Sequence, residues 1–239
     1  MLFIDAATSY AQVYPVRRKS EALDRLKDFL TLLPSTPKVI RTDNAKELRS
    51  EAMESFLRDH GIQHQFSPPH HQEYNGTAER YFQTINNMTR ALMLQAGLPD
   101  EFWSFASTFS VYLKNRLPHS RLKTTPVEAL FGQRPSLSHL RTFGSAAFTH
   151  IPKAVRKGKW SNRAWRGILV GYDAIPGCYR VWDPIREDVF VTRDVTFDET
   201  RLGLTDEPAR PPDLVAPVPA LPDLAAPPPN LFGGLLNLS

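Results

Sequence analysis

Along the first 117 residues the apolar positions follow two spacings by turns: every second residue in short runs, every third or fourth in longer ones. From Thr142 to Phe197 only the short spacing remains. A strand repeats its face at every second residue and a helix at every third or fourth, so this order predicts a layered α/β region followed by an all-β one. The pattern predicts strands over 1–5 and 11–16, paired as a hairpin around a turn at 6–9. Ser20 opens a helix with Leu23, Leu26, Leu30 and Leu33 on one face, which Pro34 and Pro37 end. A strand over 38–42 follows, then a helix over 50–60 with Met53, Phe56 and Leu57 inward and Gly61 just past its end. After a strand over 62–66 and a polar loop over 67–76 comes a long helix over 77–95. Its apolar face is Ala78, Phe82, Ile85, Thr89 and Leu92, and a second, wholly polar stripe holds Glu79, Gln83, Asn86 and Arg90. Pro99 sits at the first turn of one more helix, with Phe102, Ala106, Phe109 and Leu113 inward, which stops before Pro118. Strands over 145–151, 166–172, 179–183, 189–192 and 195–197 then make a small, separate barrel-like β domain.

Proline sets the limit of the packed region. Residues 208–229 hold nine prolines in 22 positions, a composition that builds no core and reads as an extended, disordered linker. The expected divisions are thus 1–135, 136–200 and a disordered tail over 201–239. Residues 231–238 are apolar but short and interrupted by glycine, and no role is legible in them. The single cysteine, Cys178, excludes a disulfide scaffold and a zinc site built on paired cysteines, and suits a reducing compartment. No run approaches the roughly 18 apolar residues that cross a bilayer, and residues 1–4 are too short for the apolar part of a signal peptide. The expectation is a chain that is not secreted and has no membrane partner.

The net charge of +4 conceals a strong local excess. Residues 114–172 contain twelve Lys or Arg against one acid, Glu128, whereas residues 183–199 contain six acids against Arg186 and Arg193. The densest basic stretch is Lys153, Arg156, Lys157, Lys159, Arg163 and Arg166, interleaved with Trp160 and Trp165. Such a block suggests a polyanion partner. The tryptophans are read first as core of the small domain or as arginine-stacking partners, and only second as base-stacking groups.

Two carboxylates stand out by context. Asp43 follows a strand in Arg41-Thr42-Asp43-Asn44, and Glu79 falls in the first turn of a helix, in Asn75-Gly76-Thr77-Ala78-Glu79-Arg80. Exactness of spacing apart, paired acids of this kind are what phosphodiester chemistry requires. Divalent cations that clamp attacking and leaving oxygens take hard carboxylate ligands, and few of them.

Together with the 35 residues between Asp43 and Glu79, the stretch Ser67-Pro68-Pro69-His70-His71-Gln72-Glu73-Tyr74-Asn75-Gly76 resembles the second half of the D,D-35-E signature of retroviral and retrotransposon integrases. Further stretches are similar to the copia type of LTR retrotransposon: Asn115-Arg116-Leu117-Pro118, Thr125-Pro126-Val127-Glu128, Phe131-Gly132, Leu137-Ser138-His139-Leu140-Arg141-Thr142-Phe143-Gly144, Gly167-Ile168-Leu169-Val170-Gly171-Tyr172 and Arg193-Asp194-Val195-Thr196-Phe197-Asp198-Glu199. They occur in order from about residue 2 to residue 199. The resemblance implies a ribonuclease H-like core, a mixed sheet flanked by helices, followed by the SH3-like β domain of the polyprotein. It implies Asp43 and Glu79 as catalytic residues and ligands of Mg²⁺ or Mn²⁺ in a two-metal site, with Asn44 holding the Asp43 turn.

The resemblance also sets an expectation of incompleteness. In the family fold a three-strand meander precedes the first helix and its first strand carries the first catalytic aspartate, whereas only two strands precede Ser20. Asp5, 38 positions before Asp43, matches the second-strand hairpin and is rejected as a ligand. The expectation is a core without its first strand, a metal site with two ligands of three, and no zinc module. Double-stranded DNA, as element ends and target, is the implied partner, with homo-oligomerisation and no small-molecule substrate. Gln83, Asn86 and Arg90 are candidates for the DNA backbone beyond Glu79. Lys153, Arg156, Lys157, Lys159 and Arg163 are candidates for phosphate contacts, and His70 and His71 for loop contacts to DNA rather than metal ligation. The implied activity is metal-dependent strand transfer in the intact protein, in nucleus or cytoplasm. The alternatives are a catalytically dead or domesticated DNA-binding remnant and, less favoured, a ribonuclease H acting on hybrids.

Overall fold

The computed structural model describes residues 1–42, 46–66, 76–156, 158–204 and 235–238. They fall into two compact units, Met1–Met88 with Ser110–Leu137 and Pro228–Ser239, and Thr89–Phe109 with Ser138–Pro227.

The first unit is built on a five-stranded mixed sheet. Its strands are β1 (Leu2–Asp5), β2 (Ala11–Val13), β3 (Val39–Thr42), β4 (Gln63–Phe66) and β10 (Leu235–Leu238), in the order β2-β1-β10-β3-β4. β1 runs antiparallel to β2 and parallel to β10, β10 antiparallel to β3, and β3 parallel to β4. Alternation along β1 sorts its side chains to opposite faces. Phe3 packs with Ile40 against α1 (Ala22–Leu32) and α2 (Glu51–Asp59), through Ala22, Leu26, Phe29, Met53 and Leu57. Leu2 and Ile4 pack on the other face with Ala78, Tyr81 and Ile85 of α3 (Gly76–Ala96) and Val111 of α4 (Trp103–Lys114). The expected helix-flanked mixed sheet is therefore present.

Local signals mark the helix ends, although α5 (Pro126–Phe131) is not among the expected helices. The Ser50 hydroxyl accepts from the Met53 amide at 3.3 Å and caps α2, and Gly61 has the positive φ of 66° that stops it. Thr125 accepts from the Glu128 amide at 3.2 Å and caps α5 (Pro126–Phe131), and Gly132 follows at φ 72°. Two of the motif stretches thus encode the two ends of one short helix. On α1 Leu26 is buried as expected, but the centre of the buried face is shifted. The fully buried stripe is Ala22, Leu26 and Phe29, with Leu23, Leu30 and Leu33 only partly buried against it. Phe29 stacks on Phe3 with ring centroids 5.1 Å apart, a cross-element contact that leucine spacing does not show.

The sheet has a guarded edge. Asn115, buried just beyond α4, accepts from the Ala11 amide through Oδ1 at 3.0 Å and donates through Nδ2 to the Ala11 carbonyl at 2.7 Å. One side chain therefore does on the outer edge of β2 what a further strand would do. Arg121 donates to the carbonyl of Ala6 at 2.6 Å and fastens the hairpin turn.

The second unit holds an antiparallel sheet of β5 (Ser145–His150), β6 (Ala164–Tyr172), β7 (Tyr179–Asp183), β8 (Asp188–Thr192) and β9 (Val195–Leu202), ordered β8-β7-β6-β5-β9. These match the five expected strands, with β9 running on past residue 197. β8 and β9 are the edges, so strand pairing among the described residues does not close the sheet into the expected barrel. Ala147, Ile151, Trp165 and Val181 form its core, with Tyr179, Phe190, Val195 and Phe197 against them.

Two expectations about the end of the chain are corrected. Residues 201 and 202 belong to β9, and Leu235–Leu238, read as part of a disordered tail, is a strand of the first sheet; the rest of that expected tail, residues 205–234 and 239, lies outside the described residues. Proline excludes ladder pairing only where it stands, and residues 235–238 contain none.

Candidate functional site

β3 carries the chain toward Asp43. Its last residue, Thr42, is 1% exposed, and its hydroxyl lies 3.0 Å from Nε2 of His64 on β4. Asp43 and Asn44 lie outside the described residues, as do His70, His71 and Lys157. Of the expected pair of acids the structure therefore places Glu79. It stands in the first turn of α3, half-buried, between buried Ala78 and exposed Arg80. Among the described residues Glu79 has no hydrogen-bond or ion-pair partner. Among the described residues no three His, Cys, Asp or Glu side chains cluster as a metal centre.

Asp5 is occupied otherwise. Its Oδ2 accepts from the Thr8 amide at 2.9 Å and from the Thr8 hydroxyl, which closes the turn between β1 and β2. Further along α3, Gln83 and Arg90 are exposed and Asn86 is half-buried, so the polar stripe is an accessible face.

His64 gives no periodic or motif signal, and sequence reasoning missed it. Its ring lies 4.1 Å from that of Phe66, over which the Arg49 guanidinium sits at 4.5 Å. Burial foremost holds its pKa below the ordinary value; Glu54 opposes that shift and Arg49 adds to it. The folded chain thus keeps His64 neutral where the unfolded chain, with an ordinary histidine pKa near 6.5, takes a proton. Stability is fully present above that pH and declines as the pH falls from about 6.5 toward the folded-state value. Urea unfolding between pH 7.5 and 5 is expected to show this decline, reduced in His64→Gln, which can still bond to Thr42.

The basic candidates lie between β5 and β6. Lys153, Lys159 and Arg163 are exposed. Arg156 is half-buried and bonds to the Ile151 carbonyl at 2.8 Å and to His150 Nε2 at 3.0 Å, so it braces the segment as well as charging it. The two tryptophans part company. Trp165 is 2% exposed in the core, as expected, whereas Trp160 is 90% exposed, with the Lys159 ammonium 5.4 Å from its ring centre, and is not core.

Other motif residues serve the architecture. The Thr142 amide and hydroxyl donate to Glu199 at 2.8 and 2.5 Å, and the Arg141 amide donates to the Tyr172 hydroxyl at 2.9 Å. The two hydrogen bonds from Thr142, the side chain's before the backbone's, lower the Glu199 pKa. Three of the motif stretches therefore meet one another there.

Comparison with known proteins gives two family matches. Residues 145–210 match the retroviral polymerase SH3-like domain, and residues 17–94 match the TnsB C-terminal domain. The chain is 34% identical over 205 residues to the retrovirus-related Pol polyprotein from transposon TNT 1-94 of Nicotiana tabacum, covering 84% of this chain and 15% of that protein. It is 30% identical over 204 residues to the corresponding protein from transposon RE2 of Arabidopsis thaliana, covering 83% of this chain and 14% of the relative. The chain thus spans about a seventh of the length of these relatives. Among solved structures, the HTLV-2 integrase catalytic core domain in complex with magnesium, in a trimeric form, aligns with TM-score 0.45 and 21% identity, over 53% of this chain and 80% of that one.

Proposed function

The chain is a homologue of the retrovirus-related Pol polyproteins of plant copia-like transposons, and from that premise we propose that it is the integrase segment of such a polyprotein, joining DNA by metal-dependent phosphodiester strand transfer in the intact protein. In this reading residues 1–135 are a ribonuclease H-like catalytic core and residues 136–200 an SH3-like DNA-contacting domain. The observation that carries it is Glu79: a half-buried carboxylate at the start of a long helix, without a partner among the described residues, separated by 35 residues from an aspartate that follows a sheet strand.

The donor chemistry fits a hard divalent cation, with Asp43 and Glu79 as the residues that hold it. Bound there, Mg²⁺ or Mn²⁺ supplies Lewis-acid stabilisation of phosphoryl charge and activation of a water or 3′-hydroxyl. The chain's own part is to present two acids from the sheet and from α3, and to lead the DNA backbone away along Gln83, Asn86 and Arg90. Lys153, Arg156, Lys157, Lys159 and Arg163 hold DNA by phosphate contacts that carry no sequence information. Strand transfer joins two DNA partners, element end and target, which favours a homo-oligomer as the working form.

Two measurements test this. In an NMR titration with Mn²⁺, paramagnetic broadening is expected at Thr42 and at Ala78–Arg80. Glu79→Gln or Asp43→Asn should weaken binding at least tenfold, and equal broadening in both variants would refute the site. In duplex binding measured against salt, the plot of log K against log salt is expected to flatten by about 0.9 for each phosphate contact removed when Lys153, Arg156, Lys159 and Arg163 become glutamine. DNA binding with no Mn²⁺ site would instead identify a DNA-binding module without catalysis.

A further inference from the structure

β10 holds the central place in the first sheet, yet 30 residues, nine of them proline, separate it from Leu204. The other neighbouring strands pair within the first 66 residues. Without β10, β1 and β3 would face each other as two bare edges across two strand spacings, roughly 10 Å. The hydrogen bonds on the far sides of β1 and β3 show which groups point into that space. The Asp5 amide donates to the Tyr10 carbonyl at 2.8 Å, and the Met1 nitrogen to the Tyr14 carbonyl at 2.7 Å, so the odd residues of β1 serve β2. By alternation Leu2 and Ile4 turn their amides to β10. On β3, the Lys38 carbonyl accepts from Gln63 at 2.9 Å, which turns the even residues to β4 and leaves Val39 and Arg41 for β10. Arg41 stands directly opposite Asn237.

We propose that the space between β1 and β3 is a strand-acceptor site for an extended apolar segment, filled by β10 and open to exchange with the same sequence offered in trans. The acceptor recognises backbone on both sides, so it takes a proline-free strand with free N–H and C=O groups along both edges. β10 meets that requirement over only four residues and has no sequence neighbour in the sheet. The 30 residues that precede it lack an amide proton at nine positions. The site stands whether or not Asp43 and Glu79 hold a metal.

Hydrogen exchange read by NMR on the full chain tests the proposal. In the double variant Leu236→Pro, Asn237→Pro, the Ile4 and Arg41 amides are expected to exchange at least tenfold faster, while Phe3 and Ile40, which face β2 and β4, stay within threefold of the unaltered chain. A synthetic peptide of residues 233–239 is expected to restore Ile4 and Arg41 in proportion to its occupancy. In the unaltered chain, the isotope-labelled peptide in excess is expected to show cross-peaks to the same two amides. Unchanged Ile4 and Arg41 in the double variant would show that β10 does not protect them. Loss of Phe3 and Ile40 with them would show that β10 is an integral strand rather than an exchangeable one. A peptide that restores nothing and gives no cross-peaks would remove the acceptor site.

Discussion

Replacing Asn115 by alanine is expected to destabilise the first unit by about 3 kcal/mol, because two buried hydrogen bonds are lost together and each orphaned backbone group costs roughly 1–3 kcal/mol. Oδ1 and Nδ2 of Asn115 satisfy both polar groups of Ala11 at 3.0 and 2.7 Å. Asn115→Leu fills the same space and offers neither bond, so an equal loss from both variants assigns the effect to bonding rather than volume. The units can be followed separately. The four tryptophans, Trp103, Trp160, Trp165 and Trp182, all belong to the second unit, whereas α1, α2 and α5 belong to the first. Under urea, the far-UV circular dichroism transition should therefore shift further than the tryptophan fluorescence transition. Equal shifts, or no shift, would contradict the edge-guarding role.

Gly167→Ala is expected to produce the opposite pattern, with a loss of about 2–3 kcal/mol of the size seen for overpacked cores, read by fluorescence. A Cβ at position 167 would lie 2.4 Å from the Trp182 carbonyl oxygen, 2.7 Å from the Trp165 ring and 2.7 Å from a Val181 methyl. The carbonyl belongs to the β7 backbone and cannot turn away without breaking its ladder, so β6 and β7 must separate. Gly171 is the control within the same motif. The three atoms nearest a Cβ there all belong to the Arg180 side chain, at 3.5 Å and beyond, and Gly171→Ala should cost much less.

These two residues show where sequence reading stops. Ser50, Gly61, Thr125 and Gly132 were legible, or sat in a legible motif, because a cap depends on residues three or four apart. Asn115 and Gly167 stood in stretches flagged by resemblance, but the reasons they are needed are Ala11, 104 positions away, and the β7 backbone across a sheet. On α1, leucine spacing gave Leu23, Leu26, Leu30 and Leu33, of which Leu26 is fully buried, and left out Ala22 and Phe29; the neighbour of Phe29 is Phe3 on another element. The candidate site was legible as spacing and as resemblance, which supplied Asp43 and Glu79. His64 was not, because only the parallel pairing of β3 with β4 brings it to Thr42. Trp160 and Trp165 have the same composition around them, and it is β-strand alternation and loop position that send one out and the other in.

The central position of β10 also sets a timetable for biosynthesis. Leu2 pairs with Leu235, so the middle of this sheet cannot be completed until the ribosome has added more than 200 further residues. At about 5–20 residues per second, the nascent chain carries two open strand edges for roughly ten seconds or longer. The hairpin of β1 and β2 and the helices α1 and α2 can form in that interval, but the sheet waits on its most distant contact. Neighbouring copies on one polysome would be most prone to pair with each other during that wait, before each chain can close its own sheet.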